Sequence, residues 1–110
     1  PEWKDDAILN ELRAFMNKYL PGADQTDGGS IAAYGVSNTM LKVLKQCNGD
    51  FSRENIMKQV TNFHDDKNPM LLPGIAINTS PTNYHPIKAM QLQKWTGKTF
   101  QRFGEVIVGA

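Results

Sequence analysis

Phe51-Ser52-Arg53-Glu54-Asn55-Ile56-Met57-Lys58-Gln59-Val60-Thr61-Asn62-Phe63-His64-Asp65-Asp66-Lys67-Asn68-Pro69 decides the fold, because the pattern inside it changes from helical to extended. Ser52 reads as an N-cap, since its hydroxyl can satisfy an otherwise unpaired amide of the first turn. Phe51 falls at N′ and Ile56 at N4, the spacing of a hydrophobic staple. Asn55 stands where a full capping box carries Glu or Gln, so that motif is half present. Ile56, Met57, Val60 and Phe63 carry the inward face. After His64, the run Asp65 to Pro69 is a polar break.

Toward the N-terminus, two further helices are expected. The first runs from about Trp3 to Leu20, with Ile8, Leu9, Leu12, Phe15, Met16 and Tyr19 on one face. Lys4, Glu11, Arg13 and Lys18 fall on or near the other side, and no chemistry is visible on this helix. Asp5 and Asp6 suit its positive end, and Pro21-Gly22 stops it. Trp3, near a terminus, is expected to have lost its packing partner. After the loop Ala23 to Gly29, the second helix spans Ser30 to about Gln46, with Asp27 and Ser30 competing as caps. Ile31, Tyr34, Leu41 and Leu44 supply its apolar stripe. Ala32, Ala33 and Gly35 keep its first turns thin, which allows a neighbour to approach closely. Lys42 and Lys45 favour its C-terminal end through the helix dipole.

Toward the C-terminus the chain is extended. Met70 to Pro73 is a short apolar run, and Gly74 to Thr79 alternates weakly, as a strand would. Ser80 to Pro86 holds two prolines and cannot be a helix interior. Met90, Leu92 and Lys94 then alternate with Gln91, Gln93 and Trp95. Thr96-Gly97 signals a turn, and Thr99 to Val108 forms a second extended run, so a β-hairpin is expected. The expected class is α/β: three helices over about 3–64, then a β-hairpin or small sheet over about 70–109. Two strands do not make a stable layer alone. The strand edges are therefore expected to pair with missing strands or to drive self-association.

Composition closes off several classes. At 110 residues this is one small domain, and 40% hydrophobic residues can form a core. Residues 1–50 hold five Lys/Arg and seven Asp/Glu, and residues 51–110 hold seven and four, a balance too even for non-specific nucleic-acid binding. The single Cys47 excludes an intrachain disulfide. No run approaches a membrane span. Pro1 to Asp6 form no signal peptide and lack an initiator Met, so the chain is expected to be processed, trimmed or cut from something longer.

Candidate chemistry is thin. His64 beside Asp65 and Asp66 has no spacing of a zinc or calcium site, and reads as a solvated helix end. His85 lies in a Pro-rich loop. Cys47 sits at a helix C-terminus, where the dipole disfavours a thiolate. No carboxylate pair has a spacing that forces a general acid and base together. Asp27-Gly28-Gly29-Ser30 can present amides to an anion or serve as a plain turn and cap. No metal, cofactor or catalytic residue is expected.

A combination of segments is more specific than any of these alone. It comprises Phe15 to Asp24, Tyr34 to Gln46 with Cys47-Asn48-Gly49, Ser52 to Asn55, Leu71 to Ile75 with Ile77 to Pro81, Tyr84 to Leu92, and Trp95 to Lys98. The set spans nearly the whole chain. It resembles the C-terminal part of substrate-binding proteins of branched-chain amino-acid-type ABC importers, the Leu/Ile/Val-binding family. The resemblance implies a fragment of a two-lobed type 1 periplasmic binding fold. It also implies ligand capture between the lobes by a longer parent, delivery to a membrane permease without catalysis, and a location in the periplasm or cell envelope. By position it places Gly29, Ser30 and Ile31 near a small-molecule ligand, an amino acid or related small carboxylate. Most of the polar ligand contacts would lie outside this chain. Some branched-chain binders carry an aromatic in this stretch; Gly29-Ser30-Ile31-Ala32-Ala33 has none. Two other readings are a ligand-sensing domain of a regulatory receptor and, less favoured by the spacing, a small enzyme with an unrecognised site.

Overall fold

A computed structural model describes residues 3–109. Pro1, Glu2 and Ala110, at the ends of the expected fragment, lie outside the described residues. The chain is mixed α/β: helices α1 (Ala7–Tyr19), α2 (Gly28–Gln46) and α3 (Arg53–Val60), followed by strands β1 (Ala89–Trp95) and β2 (Phe100–Val108). The expected order of three helices and a hairpin is therefore the observed one.

Capping sets each helix start. α1 begins at Ala7 and not at Trp3, because the Asp6 carboxylate accepts from the Leu9 amide at 2.9 Å. α2 begins ahead of Ser30. Asp27 is its cap, accepting from the Ser30 amide at 2.7 Å and the Ser30 hydroxyl at 2.9 Å. Ser52 caps α3 as expected, through a 3.3 Å bond from the Asn55 amide. The other half of the capping box is reassigned. The Ser52 amide donates to the Asp50 carboxylate at 3.0 Å. The Asn55 side chain instead donates back to the carbonyls of Asp50 at 2.8 Å and Cys47 at 3.2 Å, tying α3 to the end of α2. Phe51, the expected staple residue, remains exposed.

The inward side of α2 includes Ile31, Tyr34 and Leu44 of the expected stripe, all half-buried, but not Leu41, and its deepest positions are others. Val43 is wholly buried, whereas Leu41 is 57% exposed. The ladder of i, i+4 steps Ile31, Gly35, Thr39, Val43 and Cys47 holds the buried positions Gly35, Val43 and Cys47. Val43 and Cys47 meet Phe63 and Ile77 in the main core cluster, with Ile56, Val60 and Leu71 packed against it. Gly35 is thin for a reason the fold makes visible: a Cβ there would stand 3.0 Å from Met70 Cβ and 3.2 Å from Asn68 Oδ1. Asn68 pins this close approach, donating to the Gly35 carbonyl at 2.8 Å and the Thr39 hydroxyl at 2.9 Å, and accepting from the Met70 amide at 2.9 Å. Lys42, expected to serve the helix dipole, makes an ion pair with Asp66.

Residues 74–79 do not form a strand, contrary to the weak alternation. Their first half is taken up by a turn, with Gly74 at φ +86° and the Ile75 amide bonded to the Leu72 carbonyl. What remains is an isolated antiparallel bridge between Asp66 and Ile77. Thr79 reinforces it, donating its hydroxyl to the Val60 carbonyl at 2.8 Å and accepting from the Phe63 amide at 3.0 Å.

The hairpin closes through Thr96–Thr99, with Gly97 at φ +93°. Its register runs from Trp95 opposite Phe100 to Leu92 opposite Phe103, slips at a bulge, and resumes with Met90 opposite Ile107. Gly104, at φ +70° within the slipped segment, takes the left-handed backbone that this bulge requires. The Arg102 guanidinium stacks on the Trp3 ring at 4.8 Å, so Trp3 does have a packing partner.

The molecule is flat, with extents of 48 × 39 × 19 Å and a radius of gyration of 16.2 Å. A compact chain of this length has a radius of about 13 Å. Its surface is correspondingly large and apolar, with Met90, Leu92, Phe103 and Ile107 all exposed on the hairpin.

Candidate ligand-binding site

Two concavities meet at Ile31, on the first turn of α2. The smaller, about 490 Å³, is a notch between the start of α1 and the loop before α2. Leu9, Leu12 and Ile31 supply apolar walls, Trp3 an aromatic one, and Lys4 and Arg13 two cations. Arg13 is held in place, because its Nη1 donates to Asn10 Oδ1 at 2.7 Å and to the Lys4 carbonyl at 3.3 Å. Gln25 and Thr26 complete the rim. The Gln25 amide donates to Asn17 Oδ1 at 2.6 Å. The Thr26 hydroxyl donates to Asp24 Oδ1 at 2.6 Å.

The carboxylates beside this notch are committed to amides and hydroxyls of their own segment. The Thr26 hydroxyl, then its amide, hold the Asp24 carboxyl below the usual carboxylate range. The Ser30 amide does the same for Asp27. Both groups are therefore firmly ionised near neutral pH, and neither can act as a proton donor there.

The larger concavity, about 770 Å³, is a half-open groove running along α2 toward α3 and the loop from Phe63 to Ile87. Its walls are apolar, including Val36, Met40, Met57 and Met70. Thr39, Asn68 and Thr79 are tied into the bonds already described, and Thr61 donates its hydroxyl to the Met57 carbonyl at 2.7 Å. A polar ligand lying along these walls would meet side chains already engaged in bonds.

The structure separates the three residues expected near a ligand. Ile31 lines both concavities. Ser30 is turned to Asp27, which takes both its amide and its hydroxyl. Gly29 is exposed, and a Cβ on it would approach the Asp27 carboxylate at 3.1 Å. Sequence reasoning missed Trp3 and Arg13, and placed Arg13 on or near the outer side of α1. The signal was the spacing of Leu9, Leu12, Arg13 and Met16 by three and four, which sets Arg13 beside the apolar stripe. It is half-buried there.

His64 makes a 3.0 Å contact with Asn62 Oδ1. Among the described residues, no group of three or more His, Cys, Asp or Glu side chains is placed to hold a metal ion. None of the described helices is long and apolar enough to cross a membrane. No family model, curated protein or solved structure matches the chain.

Proposed function

We propose that this chain is the C-terminal part of a substrate-binding receptor of a branched-chain amino-acid-type ABC importer. The whole receptor, in the periplasm or cell envelope, captures an amino acid or related small carboxylate and hands it to a membrane permease without chemistry. The observation that carries this reading is the notch at Ile31. Two cations, an indole and three aliphatic side chains surround a space within the size range of small-molecule sites. That mixture suits a ligand with a carboxylate at one end and an apolar body at the other. Ile31, one of the three residues that the resemblance puts near a ligand, lines this notch.

The chain offers one wall of such a site, so its own affinity is weak, with Kd in the millimolar range, or roughly −4 kcal/mol. The test is an NMR titration with leucine, phenylalanine and 3-phenylpropionate. The expected result is saturable shifts of the Trp3 indole and the Ile31 methyls, weakened about tenfold or more by Arg13→Ala, the smallest effect of losing a charged hydrogen bond. Absence of shifts at millimolar ligand, or shifts that Arg13→Ala leaves unchanged, would overturn the reading.

A further inference from the structure

Two of the apolar surfaces among the described residues share no lining residue. One is the groove along α2. The other is one face of the hairpin, where the directly paired Met90/Ile107 and Leu92/Phe103 lie side by side. All four of these side chains are exposed, as is Val36 in the groove wall at 70%. The accessible surface is 8358 Å², whereas a folded monomer of this mass has about 6,100 Å². The excess, about 2,300 Å², is of the size each partner buries in an obligate homodimer, whose interfaces total about 2,000–5,000 Å².

We propose that the groove is the seat for the hairpin of a second copy of this chain, in a twofold dimer where each hairpin lies in the other's groove. One kind of contact then covers both surfaces, as twofold symmetry requires of an isologous interface. The groove suits an apolar protein face better than a polar ligand, since Thr39, Thr61, Asn68 and Thr79 are already engaged. The groove lining holds no charged side chain, so an apolar hairpin face can enter it without burying an unpaired charge of the groove.

The proposal is made for this chain by itself and does not draw on the receptor reading. Its test is sedimentation velocity over a wide concentration range on the wild-type chain, Leu92→Asp and Val36→Glu. Both positions are exposed in the single chain, so the variants should keep the helical circular dichroism of the wild type. The wild type should sediment as a dimer. Each variant should dissociate with a Kd raised at least about thirtyfold, the lower bound for a hot-spot position. Mixing the two variants should restore part of the association, because the Val36→Glu hairpin still fits the Leu92→Asp groove. A monomeric wild type would overturn the proposal. So would a dimer indifferent to Val36→Glu, which would mean that hairpins pair with each other. Neither substituted residue lines the notch, and Trp3, unlike Ile31, lines the notch and not the groove, so the Trp3 indole titration reports separately on the receptor reading.

Discussion

Replacing Gly35 by Ala sets two physical effects of known sign against each other. In an exposed helix interior this change stabilises by about 0.8–1.0 kcal/mol, because Ala restricts the unfolded backbone more than Gly does. Gly35 is buried, and the new Cβ would stand 3.0 Å from Met70 Cβ, 3.2 Å from Asn68 Oδ1 and 3.4 Å from Met70 Cγ. Met70 Cβ is attached directly to the backbone, so the loop must move as a body by a few tenths of an ångström. That movement stretches the bonds that Asn68 donates to the Gly35 carbonyl and the Thr39 hydroxyl. Overpacking of this kind costs about 1–3 kcal/mol. The net expectation is a loss of about 1 kcal/mol, or a melting temperature lower by roughly 4 °C. Thermal and urea melts of the wild type, Gly35→Ala, Asn68→Ala and the double variant measure it. Asn68→Ala alone should cost about 1–3 kcal/mol through lost and orphaned hydrogen bonds. The double variant should fall short of additivity by about 0.5 kcal/mol or more, because both changes loosen one clamp. A Gly35→Ala protein stabilised by about 1 kcal/mol would show that the loop does not lie on α2 at this point.

Ser52→Ala should destabilise by about 0.5–1 kcal/mol in denaturant melts, toward the low end for a cap because the Asn55 amide stands 3.3 Å from the hydroxyl. Stability should also fall in acid. Hydrogen bonds hold the carboxyls of Asp24, Asp27 and Asp50 below their ordinary value of 3.8, so their contribution is fully present above that pH and is lost as pH drops through the depressed native values. Melts from neutral pH downward should show this loss, and Asp27→Asn should make it shallower; an unchanged acid limb would argue against the α2 cap. Cys47, buried at the end of α2, should react with an aromatic disulfide far more slowly in the native chain than in urea. Equal rates would mean that the core around Val43 opens readily.

The sequence by itself determined whatever a few neighbouring residues decide. Ser52 and its following amides form a cap through contacts three residues apart, so the motif is legible without the rest of the molecule. Thr96-Gly97 between two alternating runs fixes the hairpin for the same reason, since Gly accepts the positive φ at the turn. The alternation of Gly74 to Thr79 misled because a turn from Leu72 to Ile75 competes for the same backbone groups. Only the tertiary structure decided which positions of α2 are buried deepest. Hydrophobicity favours Leu41, yet the ladder that holds the buried positions passes through Gly35 and Thr39, whose value lies in letting the Asn68 loop come close and bond. Only the tertiary structure joined Trp3 and Arg13 to Ile31. These residues are far apart in the chain, and a side chain's neighbours across such distances depend on how whole helices pack, which no local pattern of charge or spacing encodes.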